Sequence, residues 1–238
     1  MVMTQPSISG RGKRDVWDKI WREHWYSDHD RRLRRSKHKL DIVGSRYGPL
    51  KADSTVVEVG CGMGYFIAGL VDRNSQIRRA VGCDHSLVAL DQATSKFRLD
   101  RVHFIACDAP ALPFPDHSVD AAFAICSLEH IADTRSSLTE LSRILKSGGD
   151  LFIFYSNRRS VFVYERWIRS LIGEWPYAFQ FEITVEALFK IMLPEFLVDD
   201  WEIVLAESDF PALRRLDSLT HRFYSKWGRY IYIHATAS

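Results

Sequence analysis

The chain is 238 residues long, 46% hydrophobic and 26% charged, with a formal net charge of +2. That length accommodates one α/β domain with modest inserts and a substantial core, while the near-balanced charge argues neither for nor against a polyanionic partner. No stretch approaches the roughly 20 apolar residues of a membrane span, and the polar, then basic N-terminus lacks an apolar signal core, so a cytoplasmic location is expected.

Residues 1–12 are polar and contain Pro6, Gly10 and Gly12, the composition of a disordered tail. A helical cap is expected over 13–50. Asp15 is placed to cap a helix carrying Trp17, Trp21 and Trp25 on one face. That stripe either packs onto the domain or covers the mouth of a substrate site. A basic run, Arg31 to Lys39, comes next: residues 10–39 hold eleven Lys/Arg against five Asp/Glu, leaving the rest of the chain net acidic. Such a run is ordinarily a solvated helix face; the sharper reading is a surface for an anionic substrate, a lipid headgroup or nucleic acid. Gly48-Pro49 ends it.

The main domain is expected over 51–238. Thr55 to Val59 is a nearly continuous apolar run, as a parallel strand buried on both faces requires, and it enters a loop with glycines at 60, 62 and 64. Glycine lets such a loop turn sharply and approach a ligand closely. Glu58 interrupts the apolar run, and a buried carboxylate costs several kcal/mol unless a cation or hydrogen-bond donors meet it. The dinucleotide fingerprint Gly-x-Gly-x-x-Gly fails here, because the third glycine arrives at Gly64 and Tyr65 stands where it is needed.

A second strand, Arg79 to Asp84, ends in an acid followed by His85-Ser86 and a helical pattern. A carboxylate at that strand end can accept from both hydroxyls of a ribose. A third strand, Val102 to Asp108, ends in another acid suited to an exocyclic adenine amine, with the Ala109 N–H available to a ring nitrogen. Each acid taken singly is an ordinary turn or cap residue. Three at consecutive strand ends, behind a glycine loop, indicate a nucleoside-type site.

Leu112-Pro113-Phe114-Pro115-Asp116 reads as a loop before a fourth strand. Asp133 or Thr134 caps a helix with Leu138, Leu141 and Leu145 on its stripe, which Gly148-Gly149 is expected to stop. After a fifth strand, Leu151 to Tyr155, come two inserts, at about 157–183 and 209–226. The first is rich in aromatics, among them Phe162, Tyr164, Trp167, Trp175, Tyr177, Phe179 and Phe181. A short helix from Thr184 to Leu193 and a strand from Val198 to Ser208 separate them, and Tyr230 to His234 forms a closing strand. Ligands of open α/β sheets sit beyond the carboxyl ends of the strands, where both inserts leave or re-enter, so they are candidates for a substrate lid. Local core is the plainer reading.

Glu58-Val59-Gly60-Cys61-Gly62-Met63-Gly64, with Asp84, Asp108, the run Ser118 to Ile131 and the segment Leu138 to Leu151, resembles the class I S-adenosylmethionine-dependent methyltransferases, of the methyltransferase type 11 kind. The resemblance covers roughly Asp53 to Ser156 and departs mildly in having Glu58 rather than Asp in the first motif. It implies a Rossmann-like α/β fold, a doubly wound sheet of seven strands, mostly parallel with an antiparallel last strand and helices on both faces. It also implies S-adenosyl-L-methionine as cofactor, with Glu58, Gly60, Cys61, Gly62, Gly64, Asp84, His85, Asp108, Ala109, Cys126 and Ser127 around it.

No metal is implied: Cys61, Cys83, Cys107 and Cys126 follow or end successive strands without a Cys-x-x-Cys spacing, and read as small packing residues near the pocket. His130, just past the fourth strand, is the candidate general base, its ordinary pKa near 6.5 suiting proton transfer; shaping the pocket is its alternative. Cys126-Ser127-Leu128-Glu129 stands where amino-base methylases carry an Asn/Asp-Pro-Pro-aromatic run, and no Pro-Cys nucleophile is present. A small-molecule or lipid/glycan-type acceptor is therefore expected. A nucleic acid or protein bound by the basic helix, a non-catalytic cofactor-binding subunit and a nicotinamide enzyme are the alternatives.

Overall fold

The computed structural model describes residues 10–23, 29–171, 180–205 and 211–238. Two helices, α1 (Gly10–Glu23) and α2 (His29–Arg46), precede the sheet. Then follow β1 (Ser54–Val59), α3 (Tyr65–Arg73), β2 (Ile77–Asp84), α4 (Leu87–Lys96), β3 (Val102–Ala106) and β4 (Val119–Ile125). A short 3-10 turn, Leu128–His130, leads into α5 (Thr134–Ile144) and β5 (Leu145–Ser156). The remainder is α6 (Phe162–Leu171), α7 (Val185–Met192), β6 (Phe196–Val204), α8 (Pro211–Phe223) and β7 (Tyr230–Ala237).

The strands make one seven-stranded sheet in the order β3-β2-β1-β4-β5-β7-β6. Pairing is parallel from β3 to β5, and β7 runs antiparallel to both β5 and β6. Two-residue periodicity sorts the strand side chains between two cores. Val57, Val59, Ala122, Leu151 and Ile153 point to one face and pack with Leu138 and Leu141 of α5 and Leu188 of α7. Val56, Ala121, Phe123 and Phe152 point to the other and meet Phe66, Ile67 and Leu70 of α3 and Leu40 and Val43 of α2. Both faces are covered, as a parallel sheet requires.

The far edge is tied back to α2. Arg46 makes two hydrogen bonds to Asp200, Nε to Oδ2 and Nη2 to Oδ1, each 2.7 Å, and a third to Glu202 at 2.6 Å, fastening α2 to β6. Midway along β5, Asp150 accepts from the Tyr47 hydroxyl at 2.6 Å and pairs with His234 Nε2 at 2.9 Å.

Local boundaries differ from the sequence reading in three places. The first helix begins at Gly10, so Asp15 lies inside it rather than at its cap, and 10–12 are helical rather than part of a tail. Gly148-Gly149 does not stop α5: the helix ends at Ile144, and Leu145 already pairs with Val119, because β5 runs through both glycines. Strand β6 starts two residues earlier than expected, at Phe196. Asp133 is the cap of α5, its carboxylate accepting from Ser136 N at 3.0 Å. Trp25, Trp175, Tyr177, Phe179 and Ser208 lie outside the described residues.

Candidate functional site

The carboxyl ends of β1, β2 and β3 bring the predicted residues to one rim. Glu58 is 2% exposed, and its Oε2 accepts from Ile67 N in the first turn of α3 at 3.0 Å. Burial pushes its carboxyl well above the usual carboxylate range, against that N–H, which favours the ionised form. Among the described residues Glu58 has no ion pair.

Asp84 sits at the tip of β2. Its Oδ2 accepts from Gly62 N at 2.7 Å and its Oδ1 from Ser86 N at 2.9 Å. Burial raises this carboxyl too, and the two N–H groups pull the other way. His85 Nδ1 pairs with Asp108 Oδ1, and the Asp108 side chain is about half exposed. Ala109 packs at the margin of the core. So Asp84 and Asp108 flank His85 on neighbouring strand ends.

The loop between β1 and α3 folds mostly onto the protein. Gly60 N and Cys61 N both donate to Cys83 O, and Gly64 N donates to Cys61 O. Gly62 has φ +53°, and a Cβ there would lie 2.6 Å from the Trp21 ring of α1. At Gly60 an added Cβ would lie 2.3 Å from Ser127 Cβ. Any side chain at either position needs a backbone that L-residues disfavour and displaces a packed neighbour. Ser127 is itself fixed, donating from Oγ to Val59 O at 2.7 Å. Cys126 precedes it with φ +53°.

Three of the cysteines hold their protons. Burial pushes the Cys61 thiol well above its ordinary value and the Cys126 thiol up to about 12, while a hydrogen bond with Cys107, then burial, raises Cys83. None of these three is a thiolate nucleophile at neutral pH.

Helix α1 lies across this rim. Asp18 Oδ1 accepts from Ser86 Oγ at 2.5 Å and from Val88 N at 3.3 Å, Arg14 Nε donates to His85 O at 3.2 Å, and Trp21 covers Gly62. Trp17 meets the His130 ring edge-on, with centroids 5.1 Å apart. The tryptophan stripe signalled a packed face, but nothing in the sequence singled out Asp18, which joins α1 to the amino end of α4. Past β4, Glu129 is 1% exposed; Ser156 Oγ donates to its Oε1 at 2.7 Å, and its Oε2 has no partner among the described residues. Among the described residues no three His, Cys, Asp or Glu side chains group as a metal site, and no helix is long and apolar enough to cross a membrane.

This arrangement agrees with comparisons to known proteins. Residues 57–153 match the family described as "Methyltransferase domain", Methyltransf_11. The chain is 29% identical over 160 residues to 27-O-demethylrifamycin SV methyltransferase of Amycolatopsis mediterranei, covering 63% of this chain and 59% of that protein. It is 36% identical over 115 residues to O-methyltransferase cnsE of Penicillium expansum, covering 47% and 41%. The chain thus spans about half the length of these curated relatives. The [4+2]-cyclase SpnF has the same fold, with a TM-score of 0.69 at 20% identity over 97% of both chains. A shared fold by itself therefore does not fix the chemistry. The matched segment does fix a domain family: residues 57–153 form a methyltransferase domain of the class I S-adenosylmethionine-dependent kind, in which S-adenosylmethionine is the methyl donor.

Proposed function

We propose that this chain moves the sulfonium methyl of S-adenosylmethionine to a small-molecule or lipid/glycan-type acceptor. The observation that carries the reading is the set of three carboxylates at the ends of β1, β2 and β3. The adenosyl ligand presents hydroxyls, an amine and an ammonium, all donors, and these residues present acceptors. Each Asp84 oxygen holds one backbone N–H and keeps a lone pair for a ribose hydroxyl. Glu58, buried without an ion-pair partner among the described residues, suits the cationic end of the ligand. Asp108, exposed beside His85, is assigned the adenine amine, with the Ala109 N–H beside it.

The bound cofactor supplies an already activated methyl group, so the chain has mainly to hold an acceptor in line with it. Orientation of that kind lowers a barrier by about 7–11 kcal/mol. Glu58 and Asp84 fix the donor side, Cys126 and Ser127 form the floor past β4, and α1 excludes water across the glycine loop. His130 is assigned the acceptor's proton, since it ends the turn after β4 against Trp17. The relative 27-O-demethylrifamycin SV methyltransferase bears the name of a small-molecule methyltransferase, which supports an acceptor of that size.

The experiment is calorimetric titration of the purified chain with S-adenosylhomocysteine and, separately, with NAD. Saturable binding of the first and none of the second is expected; the reverse would sink the reading. A steep loss of RNA affinity with added salt, alongside methylation of that RNA, would shift the acceptor to nucleic acid.

A further inference from the structure

Beyond the acid-lined rim, a cavity of about 60 Å³ opens between the end of β5, α6 and the residue preceding β7. A water needs roughly 10–15 Å³, so this space fits a group of several heavy atoms and not a whole acceptor. Its polar lining is rich in donors. Arg229 stacks its guanidinium 4.2 Å from the Phe162 ring centroid and 5.4 Å from that of Tyr230; no carboxylate comes within ion-pair distance of it among the described residues, although the Glu165 charge acts on it from farther off. Arg166 holds Glu182 through Nη2 at 2.7 Å, which leaves its buried Nε–H without an acceptor. Ser160 accepts from Phe162 N at 3.2 Å and keeps its own proton to donate.

The two carboxylates in the lining are already engaged. Glu165 pairs with Arg169 at 3.0 Å, and Glu182 with Arg166. Behind Tyr230 stands a further cation: Lys39 is 8% exposed, with Nζ 5.0 Å from the ring centroid and no ion pair among the described residues. Lys39, Arg229 and Arg35 all act on the Cys126 thiol, with the buried Glu129 carboxylate acting against them, so three cations and one acid stand beside the exit of β4. A buried donor without an acceptor costs about 1–3 kcal/mol, and a guanidinium fork is matched by a planar or tetrahedral oxyanion.

We propose that this cavity is a subsite for an anionic group of the acceptor, a carboxylate or a phosphate, held by Arg229 and Arg166 with Ser160. It rests on the methyltransferase reading, because the site would anchor the acceptor at the end of the sheet where that reading puts the chemistry. The anchor keeps the acceptor's charge on the cationic side and its methyl-accepting atom toward β4.

The test uses the full chain loaded with S-adenosylhomocysteine, whose affinity is measured first. Inorganic phosphate and acetate are then titrated separately, following phosphate by phosphorus NMR and acetate by proton NMR. Saturable binding of either anion is expected, weakened about tenfold or more in Arg229→Met and about threefold in Arg166→Lys, and unchanged in the surface variant Arg78→Met. Tighter phosphate assigns phosphorylated acceptors, and tighter acetate assigns carboxylic acids; either supports the subsite. Should Arg229→Met fail to fold, judged by its thermal midpoint, Arg166→Lys carries the same test because it retains a cation for Glu182. No saturable binding, or equal loss in Arg78→Met, overturns the proposal. Failure to bind S-adenosylhomocysteine would instead overturn the methyltransferase reading, so the two failures are told apart.

Discussion

The two halves of the sheet's carboxyl rim have opposite chemistry on the same scaffold. Strands β1 to β3 end in Glu58, Asp84 and Asp108, while the side built by β5, α6 and β7 gathers Arg166, Arg229 and, from α2, Lys39. Burial raises Glu58 and Asp84, opposed by backbone N–H groups and by the charges of Lys39 and His85 respectively. Away from that rim, midway along β5, a buried acid behaves differently. Burial would raise Asp150, but hydrogen bonds from His234 and Tyr47 outweigh it and hold the carboxyl below the usual range. Asp150, with a hydroxyl and an imidazole as partners, secures the fold, whereas Glu58 and Asp84, met mainly by backbone N–H groups, are the acids the proposed reading gives to a ligand.

Five substitutions break or sharpen this contrast. The largest effect is expected from Gly62→Val, whose side chain would need φ near +53° and would displace Trp21; calorimetry should find no binding of S-adenosylhomocysteine while circular dichroism still reports a folded chain. Next, His130→Ala at saturating cofactor should lower the methyl-transfer rate by about 10²–10⁴-fold if the imidazole takes a proton, and a loss under about tenfold reduces it to pocket lining. Third, Asp84→Ala should weaken S-adenosylhomocysteine binding by about 1–3 kcal/mol, and unchanged affinity removes its ribose role.

The smallest effect concerns stability, and its sign is set by the raised carboxyl of Glu58. Below the unfolded value near 4.3 both states are protonated and the group costs nothing; the penalty grows as pH climbs through the folded value. Glu58→Gln should therefore raise the midpoint of thermal unfolding at pH 7, by about 2–4 °C for each kcal/mol relieved, with the gain fading toward pH 4. Asp150→Asn should do the reverse. Its depressed carboxyl contributes stability above the unfolded value near 3.9, so the variant is weaker at pH 7 and the difference closes as the medium is acidified. Melting curves at several pH values check both.

How much was legible in the sequence follows from the range of the forces involved. Strand runs, the glycine loop, the acids and the two-sided core are local patterns of hydrophobicity and turn chemistry, and they fell where the residues indicated. Helix ends were harder. Gly148-Gly149 looks like a stop, but pairing of Leu145 with Val119 claims those residues for a strand first, a tertiary effect invisible to propensity. The long-range contacts were not legible at all: Asp18 meets Ser86 across 68 residues, and Arg229 faces Phe162 from the other end of an insert. A polar residue on a helix gives no sign of which distant hydroxyl it will meet.

The reversed direction of β7 has one more effect. In a parallel strand the final residues reach the ligand-facing rim, so a chain with only such strands could furnish that rim solely from segments that leave the sheet. Because β7 points the other way, Tyr230 at its beginning pairs with Ser156 at the finish of β5. The incoming polypeptide thereby delivers Arg229 to the same shelf. A slip of one position in that ladder would set Gly228 there instead and turn every following side chain to the opposite layer, so the hydrogen-bonded seam between β5 and β7 aligns the arginine as strictly as any direct contact.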